Sequence, residues 1–361
     1  MTEPTLAVVS PVFTVEGDVG RELARDCVRL EVAEGIDGLR TLQAHFLATG
    51  AGALGAQDQL LHLSGGQVEL GHRLTVAIGS PAEQRFVFDG RISAIELVLG
   101  DGDPPVVVVL AEDALMGLRM TRRMRTYSSV SDADLARRLA DLNQLKSQVD
   151  APGPTYDLVQ QLNQSDLAFL RERARLIQAE LWCTGRTLHF ASRTARAGNE
   201  LTLVRGSDLL SARLVADLAH QRSSVVVTGY DADARDGIEE QAGPDVVEAE
   251  VTGGRSGPRL VQRAFGTTTS YRVRAAALTS EEARAWSRAE MLRRGRRFVT
   301  ATGVTTGTPE LTVGSRLTLQ LVGAPFAGAG WYTTHVRHTF DLKQGMRTRF
   351  EAERSTLNEV A

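Results

Sequence analysis

The chain has 361 residues, of which 42% are hydrophobic and 24% charged, so it can bury the cores of two or three globular domains. The net charge of -3 argues against a chain-wide attraction to nucleic acid. No apolar run approaches the roughly 20 residues that span a bilayer. The two cysteines, Cys27 and Cys183, are too few for a disulfide framework and are expected to be buried free thiols. The N-terminus lacks the basic region of a signal peptide, so the cytoplasm is the expected compartment.

The N-terminal part is predicted to be β-rich. Val28, Leu30 and Val32 alternate with polar residues, which is the period of a half-buried strand. A loop is predicted at residues 48–66. Further strands are predicted at 74–78, 85–88, 92–99 and 106–110, and the short strands with Gly and Pro breaks favour a barrel or a sandwich.

The middle part has helical signals. A short helix is predicted at 113–120 and a basic loop at 119–125. Ser131 and Asp134 form a capping-box pattern ahead of a helix. A second helix is predicted to start at Asn163 or Ser165, and a hairpin follows at 181–190. The buried face of this second helix is expected to contain Leu167, Leu170, Ala174 and Ile177.

The C-terminal part mixes both patterns. A strand is predicted at 225–228, and the Gly-rich, charged segment 236–258 is predicted to be a loop or a long insertion. Thr279 and Glu282 predict the start of a helix that ends near residue 294. Alternating apolar residues then predict strands at 317–321, 332–340 and 346–352.

Two distant segments share one pattern. Residues 71–79 read GHRLTVAIG and residues 314–323 read GSRLTLQLVG, and each is followed by a short turn, a Phe-x-Gly and a β-rich strand. Such self-similarity predicts a small β-domain used twice. The alternative is that G-x-R-L-T is a common opening of a strand. The shared positions are Gly71, Arg73 and Leu74 in the first copy and Gly314, Arg316 and Leu317 in the second.

The middle and the end of the chain resemble a known family. The run NQSDLAFLRERAR at 163–175 and the run WCTGRTLHF at 182–190 are similar to the middle of the phage late control protein D family. That family covers baseplate hub proteins of contractile tails, and VgrG proteins carry the same hub in their N-terminal part. The runs PELTVGSRLTL from Pro309, GWYTTHVRHTF from Gly330 and RTRFEAER from Arg347 agree with it.

The resemblance implies a β-rich α+β fold with two similar small β-barrel hub domains and an intervening α/β domain. We expect the first barrel at 1–118, the middle domain at 119–200 and the second barrel at 201–361, with a helical insertion at about 236–297. VgrG chains continue into a further barrel and a β-helix. The present sequence has no C-terminal β-helix repeats, so the spike is expected to be a separate polypeptide.

The resemblance also implies a function. It indicates a structural baseplate hub that joins a hexameric inner tube to a trimeric spike. The implied partners are two further copies of the chain, the spike, the inner tube or a tube-initiator protein, and other baseplate subunits, without membrane insertion by this chain. The implied location is the bacterial cytoplasm during assembly and then the tail-like particle. A phage tail, a tailocin and an extracellular contractile injection system all remain open.

No residues form a convincing catalytic or metal site, so neither an enzyme nor a cofactor is expected. His335 and His338 lie three apart on a predicted strand and therefore face opposite sides. Cys183 and His189 flank a hairpin turn, but nothing completes a zinc site with them. The D-x-D-x-x-D run at 231–236 lacks the Gly and Glu of a calcium loop.

Two arginine clusters are candidate interfaces. The interpretations, in order of preference, are a surface for an acidic partner protein, helix capping with a solvated face, and nucleic-acid binding. The competing function classes are a cell-wall hydrolase associated with the baseplate and a nucleic-acid-binding β-barrel protein. The first cluster contains Arg122, Arg123 and Arg125, and the second contains Arg293, Arg294, Arg296 and Arg297.

Overall fold

The computed structural model describes residues 10–49, 60–63, 67–79, 85–251 and 253–359, without the side chains of 273–276. Most of the loop predicted at 48–66 lies outside these residues. The fold is β-rich, as the sequence indicates, and its strands form large antiparallel sheets.

The N-terminal elements are mainly strands with alternating burial. In β3, for example, Leu30 and Val32 are buried whereas Arg29 is exposed, which matches the predicted period. The elements are β1 (Val12–Val15), β2 (Asp18–Val19), α1 (Arg21–Asp26), β3 (Cys27–Gly35), β4 (Thr41–Leu47), β5 (Arg73–Ile78), β6 (Arg85–Val98) and β7 (Val106–Glu112).

The middle elements include two capped helices. Ser131 and Asp134 form the predicted capping box, and Ser165 accepts a hydrogen bond from the Ala168 N–H at 3.2 Å. The basic loop predicted at 119–125 is wrong, because most of this segment belongs to a strand that pairs with β10 in a two-stranded ribbon. The elements are α2 (Met116–Met120), β8 (Arg122–Ser131), α3 (Asp132–Leu142), β9 (Lys146–Asp150), β10 (Thr155–Ser165), α4 (Asp166–Ile177), β11 (Ala179–Thr184) and β12 (Thr187–Ser192).

The C-terminal elements include an insertion that contains both strands and helices. Segment 236–258, predicted to be a loop or a long insertion, is not a loop, because it supplies β16, which pairs with β15, and further short elements. The insertion at about 236–297 is therefore not purely helical. The elements are β13 (Glu200–Val204), β14 (Leu209–Ala216), β15 (Ser224–Asp231), β16 (Asp236–Ala242), α5 (Asp245–Glu248), β17 (Arg255–Ser256), α6 (Gly257–Phe265), β18 (Thr269–Ala277), α7 (Ser280–Arg296), β19 (Val299–Thr306), β20 (Arg316–Gln320), β21 (Gly328–Asp341), β22 (Gly345–Arg354) and β23 (Thr356–Leu357).

One large sheet contains strands from both the N-terminal and the C-terminal parts of the described chain. Its strand order is β14-β19-β22-β21-β3-β4-β7-β6-β5-β1-β2, and β20 pairs with β21 and β13 to one side. We call β3 to β7 the N-terminal strand unit, and we call β14 with β19 to β22 the C-terminal strand unit. Each unit has five strands, and their order across the sheet is β3-β4-β7-β6-β5 in one unit and β14-β19-β22-β21-β20 in the other. In both units the first strand along the chain lies beside the second, followed by the fifth, fourth and third, so the two units have the same topology.

The two units also share their irregularities. The strand that follows the repeat motif carries an extra residue at the same place, Ser93 in β6 and Thr334 in β21. The first strand of each unit carries another, Val28 in β3 and Leu210 in β14. A β-bulge shifts the register of everything after it. Two coincident bulges therefore allow the units to be compared residue by residue.

The middle of the chain has its own core, to which the insertion contributes. Leu167 and Leu170 of α4 are buried, as predicted, and Ile177 is half-buried. Trp286 of α7 packs against Tyr156 of β10, with ring centroids 6.4 Å apart. The insertion therefore packs on the middle elements.

Both cysteines are buried free thiols, as predicted. Burial raises the pKa of Cys27 and of Cys183 to about 12, so the thiolate form is disfavoured at both positions. Within the described part of the chain, no helix is long and apolar enough to cross a membrane.

Candidate assembly surfaces

The repeat motif has the same backbone geometry in both strand units. The Gly71 N–H donates to the Ile92 carbonyl at 2.8 Å, and the Gly314 N–H donates to the Thr333 carbonyl at 2.9 Å. Both glycines have positive φ angles, +85° and +94°, which other residues adopt only with strain. The glycine of the motif thus fixes the turn that precedes each motif strand.

The arginine and leucine side chains of the motif can be compared between the two units. Leu74 and Leu317 are both buried in the cores of their units. Arg73 makes a surface ion pair with Asp89, with Nη2 2.9 Å from Oδ2. Arg316 instead lies over the ring of Tyr332, 4.4 Å from its centroid. The motif leucines therefore keep one structural role, whereas the motif arginines have two.

The two strand units are joined edge to edge. The second half of β21 pairs with β3, and His338 lies opposite Val32 in that register. Phe340 at the end of β21 is buried in the core of the N-terminal strand unit. Arg337 of β21 lies 3.3 Å from Glu31 of β3, with Nε facing Oε1. We call this contact the unit junction.

A buried ionic cluster lies beside the junction and connects three parts of the chain. Arg196, which follows β12, donates to Glu34 of β3 at 2.9 Å and to Glu180 of β11 at 3.1 Å. The Tyr332 hydroxyl of β21 donates to the same Glu180 oxygen at 2.7 Å. Buried charges are tolerated when each has a partner. The cluster therefore fixes the two strand units to the middle elements.

The ring of Tyr332 contacts two guanidinium groups. Arg193 lies 4.0 Å from its ring centroid on β21, and Arg316 of the repeat motif lies 4.4 Å away. Arg193 also forms a buried ion pair with Glu353 of β22. Arg316 was singled out from the sequence only as part of the repeat motif, and Arg193 and Glu353 were not singled out, because isolated charges carry no local signal.

The histidines and the cysteine that the sequence analysis considered as metal ligands do not come together in the fold. His338 is buried and donates or accepts a hydrogen bond with Thr348, with Nδ1 3.0 Å from Oγ1, whereas His335 is half-buried. Cys183 lies opposite Leu188 rather than His189 in the hairpin. Among the described residues, no group of three His, Cys, Asp or Glu could hold a metal ion.

The first arginine cluster is largely paired within the chain. Arg123 binds the fully buried carboxylate of Asp166, with Nε 2.9 Å from Oδ1. Arg122 donates to the Asn163 carbonyl at 2.8 Å. Arg125 lies 6.0 Å from the ring centroid of Tyr127. The Arg123 contact ties β8 to the start of α4, and the Arg122 contact ties it to β10.

The second cluster is also mostly paired. Arg293 and Arg294 both bind Glu290 on the preceding helical turn, at 2.7 and 2.8 Å. Arg296 is buried and binds Glu250 at 2.6 Å, whereas Arg297 is exposed. Most of the positive charge of this cluster is therefore neutralised within the chain.

One family model matches most of the chain. The family model of the Alg8 N-terminal domain matches residues 56–341. The chain belongs to this family. A search of curated proteins found no match.

Solved structures of phage tail proteins share the fold. A 43 kDa tail protein of prophage MuSo2 from Shewanella oneidensis is 12% identical, with a TM-score of 0.70 over 96% of this chain and 98% of that chain. A tail protein from Neisseria meningitidis is 11% identical, with a TM-score of 0.64 over 96% of both chains. An Escherichia coli component of the type VI secretion system is 12% identical, with a TM-score of 0.54 over 93% of this chain and 76% of that chain.

These identities establish a shared fold only. The fold is that of phage tail proteins and of a type VI secretion component, as the resemblance to the late control protein D and VgrG-like family predicts. This chain and these neighbours thus share a β-rich fold.

Proposed function

We propose that this protein is a structural hub in the baseplate of a contractile tail-like injection machine, where it joins the inner tube to a trimeric spike. The observation that carries the proposal is the repetition of one strand unit within a single chain. Both units have the same strand order and the same two bulges. The shared fold with phage tail proteins supports the proposal.

The repetition has a physical use at a symmetry mismatch. Three copies of a chain with two like units would present six similar surfaces to a sixfold tube. The same three copies would keep threefold symmetry for a spike. A closed ring also satisfies every repeated interface, whereas an open arrangement leaves ends. In this proposal each strand unit is one of two small barrels that line a common ring.

We propose a mechanical role without catalysis. Arg196 is buried and paired with Glu34 and Glu180, and this cluster ties strands together. Large apolar contacts with neighbouring proteins would supply most of the binding energy. The partners would be two further copies, the tube or its initiator, the spike and other baseplate subunits, first in the bacterial cytoplasm and then in the particle.

Deletion of the gene in the producing bacterium tests this role. We expect tubes and sheaths of normal length to be lost, because a tube would lack its nucleating ring, and a copy of the gene on a plasmid should restore them. Electron microscopy of sedimented particles is the measurement. Intact particles from the deletion strain would contradict the proposal. Clearing of a cell-wall substrate by the purified protein would instead favour the hydrolase class.

A further inference from the structure

At the unit junction, the edges of β3 and β21 pair with each other. In the described chain, the equivalent edges of the equivalent strands in the other unit pair with no strand. Within the chain, the outer edge of β3 is covered by the second half of β21. The counterpart of β3 in the C-terminal strand unit is β14, which is the last strand at its end of the sheet among the described residues. The counterpart of β21 is β6, whose pairing with β5 ends at Arg91. The described chain thus leaves both counterpart edges without a strand.

The bare half of β6 and Leu99, which follows it, expose apolar side chains at positions that are buried in β21. The shared bulge aligns Leu97 with His338 and Leu99 with Phe340. Leu97 and Leu99 are 37% and 67% exposed, whereas His338 and Phe340 are 6% and 2% exposed. Exposed apolar residues along an open edge mark a surface that another strand covers. The exposure differs because β21 pairs with β3 along this edge, whereas β6 pairs with no strand there in the described chain.

The bare edge of β14 shows the matching difference. The shared bulge aligns Ala212 with Leu30 and Leu214 with Val32. Leu30 and Val32 are buried under the junction, whereas Ala212 is exposed and Leu214 is half-buried. Both open edges therefore resemble the two sides of the unit junction before it is formed.

The charges on the two open edges are complementary. At the unit junction, Arg337 of β21 binds Glu31 of β3 at 3.3 Å. The aligned residues are Glu96 on β6 and Arg213 on β14, both exposed. The sign of each charge is reversed, so the pair would still attract. Opposite charges at diagonal positions of neighbouring strands stabilise that pairing and its register.

We propose that β6 of one copy pairs antiparallel with β14 of a neighbouring copy, in the register of the unit junction. This register places Leu97 opposite Leu214 and Glu96 diagonal to Arg213. The two edges cannot meet within one chain through the sheet, because six strands lie between them in its order. The contact is head to tail, so it continues from copy to copy. The inference rests on the proposed function only for the number of copies in the ring.

Cysteine cross-linking tests the register. Residues directly opposite in an antiparallel pair have Cα atoms about 4.5–5.5 Å apart, which a disulfide can span. Leu97→Cys with Leu214→Cys should form disulfides between chains on oxidation. Leu97→Cys with Val215→Cys is the matched control, because a shift of one residue turns the second thiol to the other face. The native thiols are buried, so the unmodified protein should stay unlinked.

The cross-linking is done both in assembled particles and with the concentrated purified protein, and is read on a non-reducing gel. Linked chains from the first variant and not from the control support the pairing. Equal linking of the two variants, or linking to a different protein, overturns it. A largest product of three chains supports the proposed ring as well. Specific linking with a different copy number leaves the pairing intact but contradicts the hub stoichiometry.

Charge reversal gives an independent test. Glu96→Arg and Arg213→Glu each place like charges across the contact and should lower the assembled fraction about fivefold or more. The two changes together should restore assembly. Both side chains are exposed, so circular dichroism should show each variant folded. A double variant that assembles no better than the single ones overturns the proposed pairing.

Discussion

Gly71 and Gly314 occupy the same position in two copies of one strand arrangement. Each has a positive φ, and each donates its N–H to the strand residue just before the bulge, Ile92 in one unit and Thr333 in the other. Their surroundings differ. A Cβ on Gly71 would meet no atom within 4 Å, whereas a Cβ on Gly314 would lie 3.1 Å from the side chain of Arg196.

This pair yields a matched prediction. Gly71→Ala should lower the free energy of unfolding by about 1–2 kcal/mol, because a residue with a side chain is strained in the left-handed backbone conformation. Gly314→Ala should cost more, because it also displaces Arg196 from its buried partners. Urea unfolding of both variants measures the difference. Equal losses of stability would show that Arg196 moves freely and that the ionic cluster is loosely held.

The ionic cluster itself can be tested at Arg196. Arg196→Met leaves Glu34 and Glu180 buried with fewer partners, and breaking such a pair from one side costs about 3–5 kcal/mol. The matched control is Arg175→Met, which removes an exposed ion pair with Asp37 at 3.1 Å. That change should cost at most about 1 kcal/mol. A similar free energy of unfolding for the two variants would argue against a structural role for the cluster.

Local patterns predicted the elements whose signals are contiguous in the sequence. The capping box at Ser131, the helix that begins after Ser165 and the opposite faces of His335 and His338 all follow from spacing alone. Short-range periodicity reports burial on one face, and these elements each have one buried face.

Contacts between distant residues could not be predicted in this way. Arg196 and Glu34 are separated by 162 positions, and no local rule connects them. Segment 119–125 was predicted to be a loop because the ribbon of β8 and β10 exposes most of its side chains, which removes the alternation that marks a strand. The open edges of β6 and β14 depend on which distant strands pair with each other, and no local pattern reports that pairing.

The core of the middle elements provides a further prediction. Leu170 of α4 is fully buried, so Leu170→Ala should cost about 2–5 kcal/mol through lost burial and a residual cavity. Leu158→Ala on the neighbouring β10 is the control, because Leu158 is half exposed and such changes cost about 0.5 kcal/mol or less. Thermal and urea unfolding measure both. A loss below that control level for Leu170→Ala would place this face of α4 outside the core.

His338 predicts a loss of stability in acid. Burial lowers the pKa of His338 to about 4, from an ordinary value of 6.5. As the pH falls below 6.5, the unfolded chain takes up this proton before the folded chain does, so stability decreases. By pH 5 the loss should reach about 2 kcal/mol.

The matched variants are His338→Leu, which places the residue of the aligned Leu97 at this position, and His335→Leu as a control. The first should flatten the decline in unfolding free energy between pH 7.5 and pH 5 by about 2 kcal/mol. The second should retain the decline. Parallel pH profiles for His338→Leu and the unmodified protein would show that this histidine does not limit acid stability.

Electron cryo-microscopy of the assembled particle, at a resolution that traces this chain, can show whether the protein is a hub between tube and spike. We predict three copies in one ring between tube and spike, with both strand units of each copy lining the channel and β6 of each copy beside β14 of the next. Six copies in the ring, or a single strand unit per chain facing the channel, would contradict it.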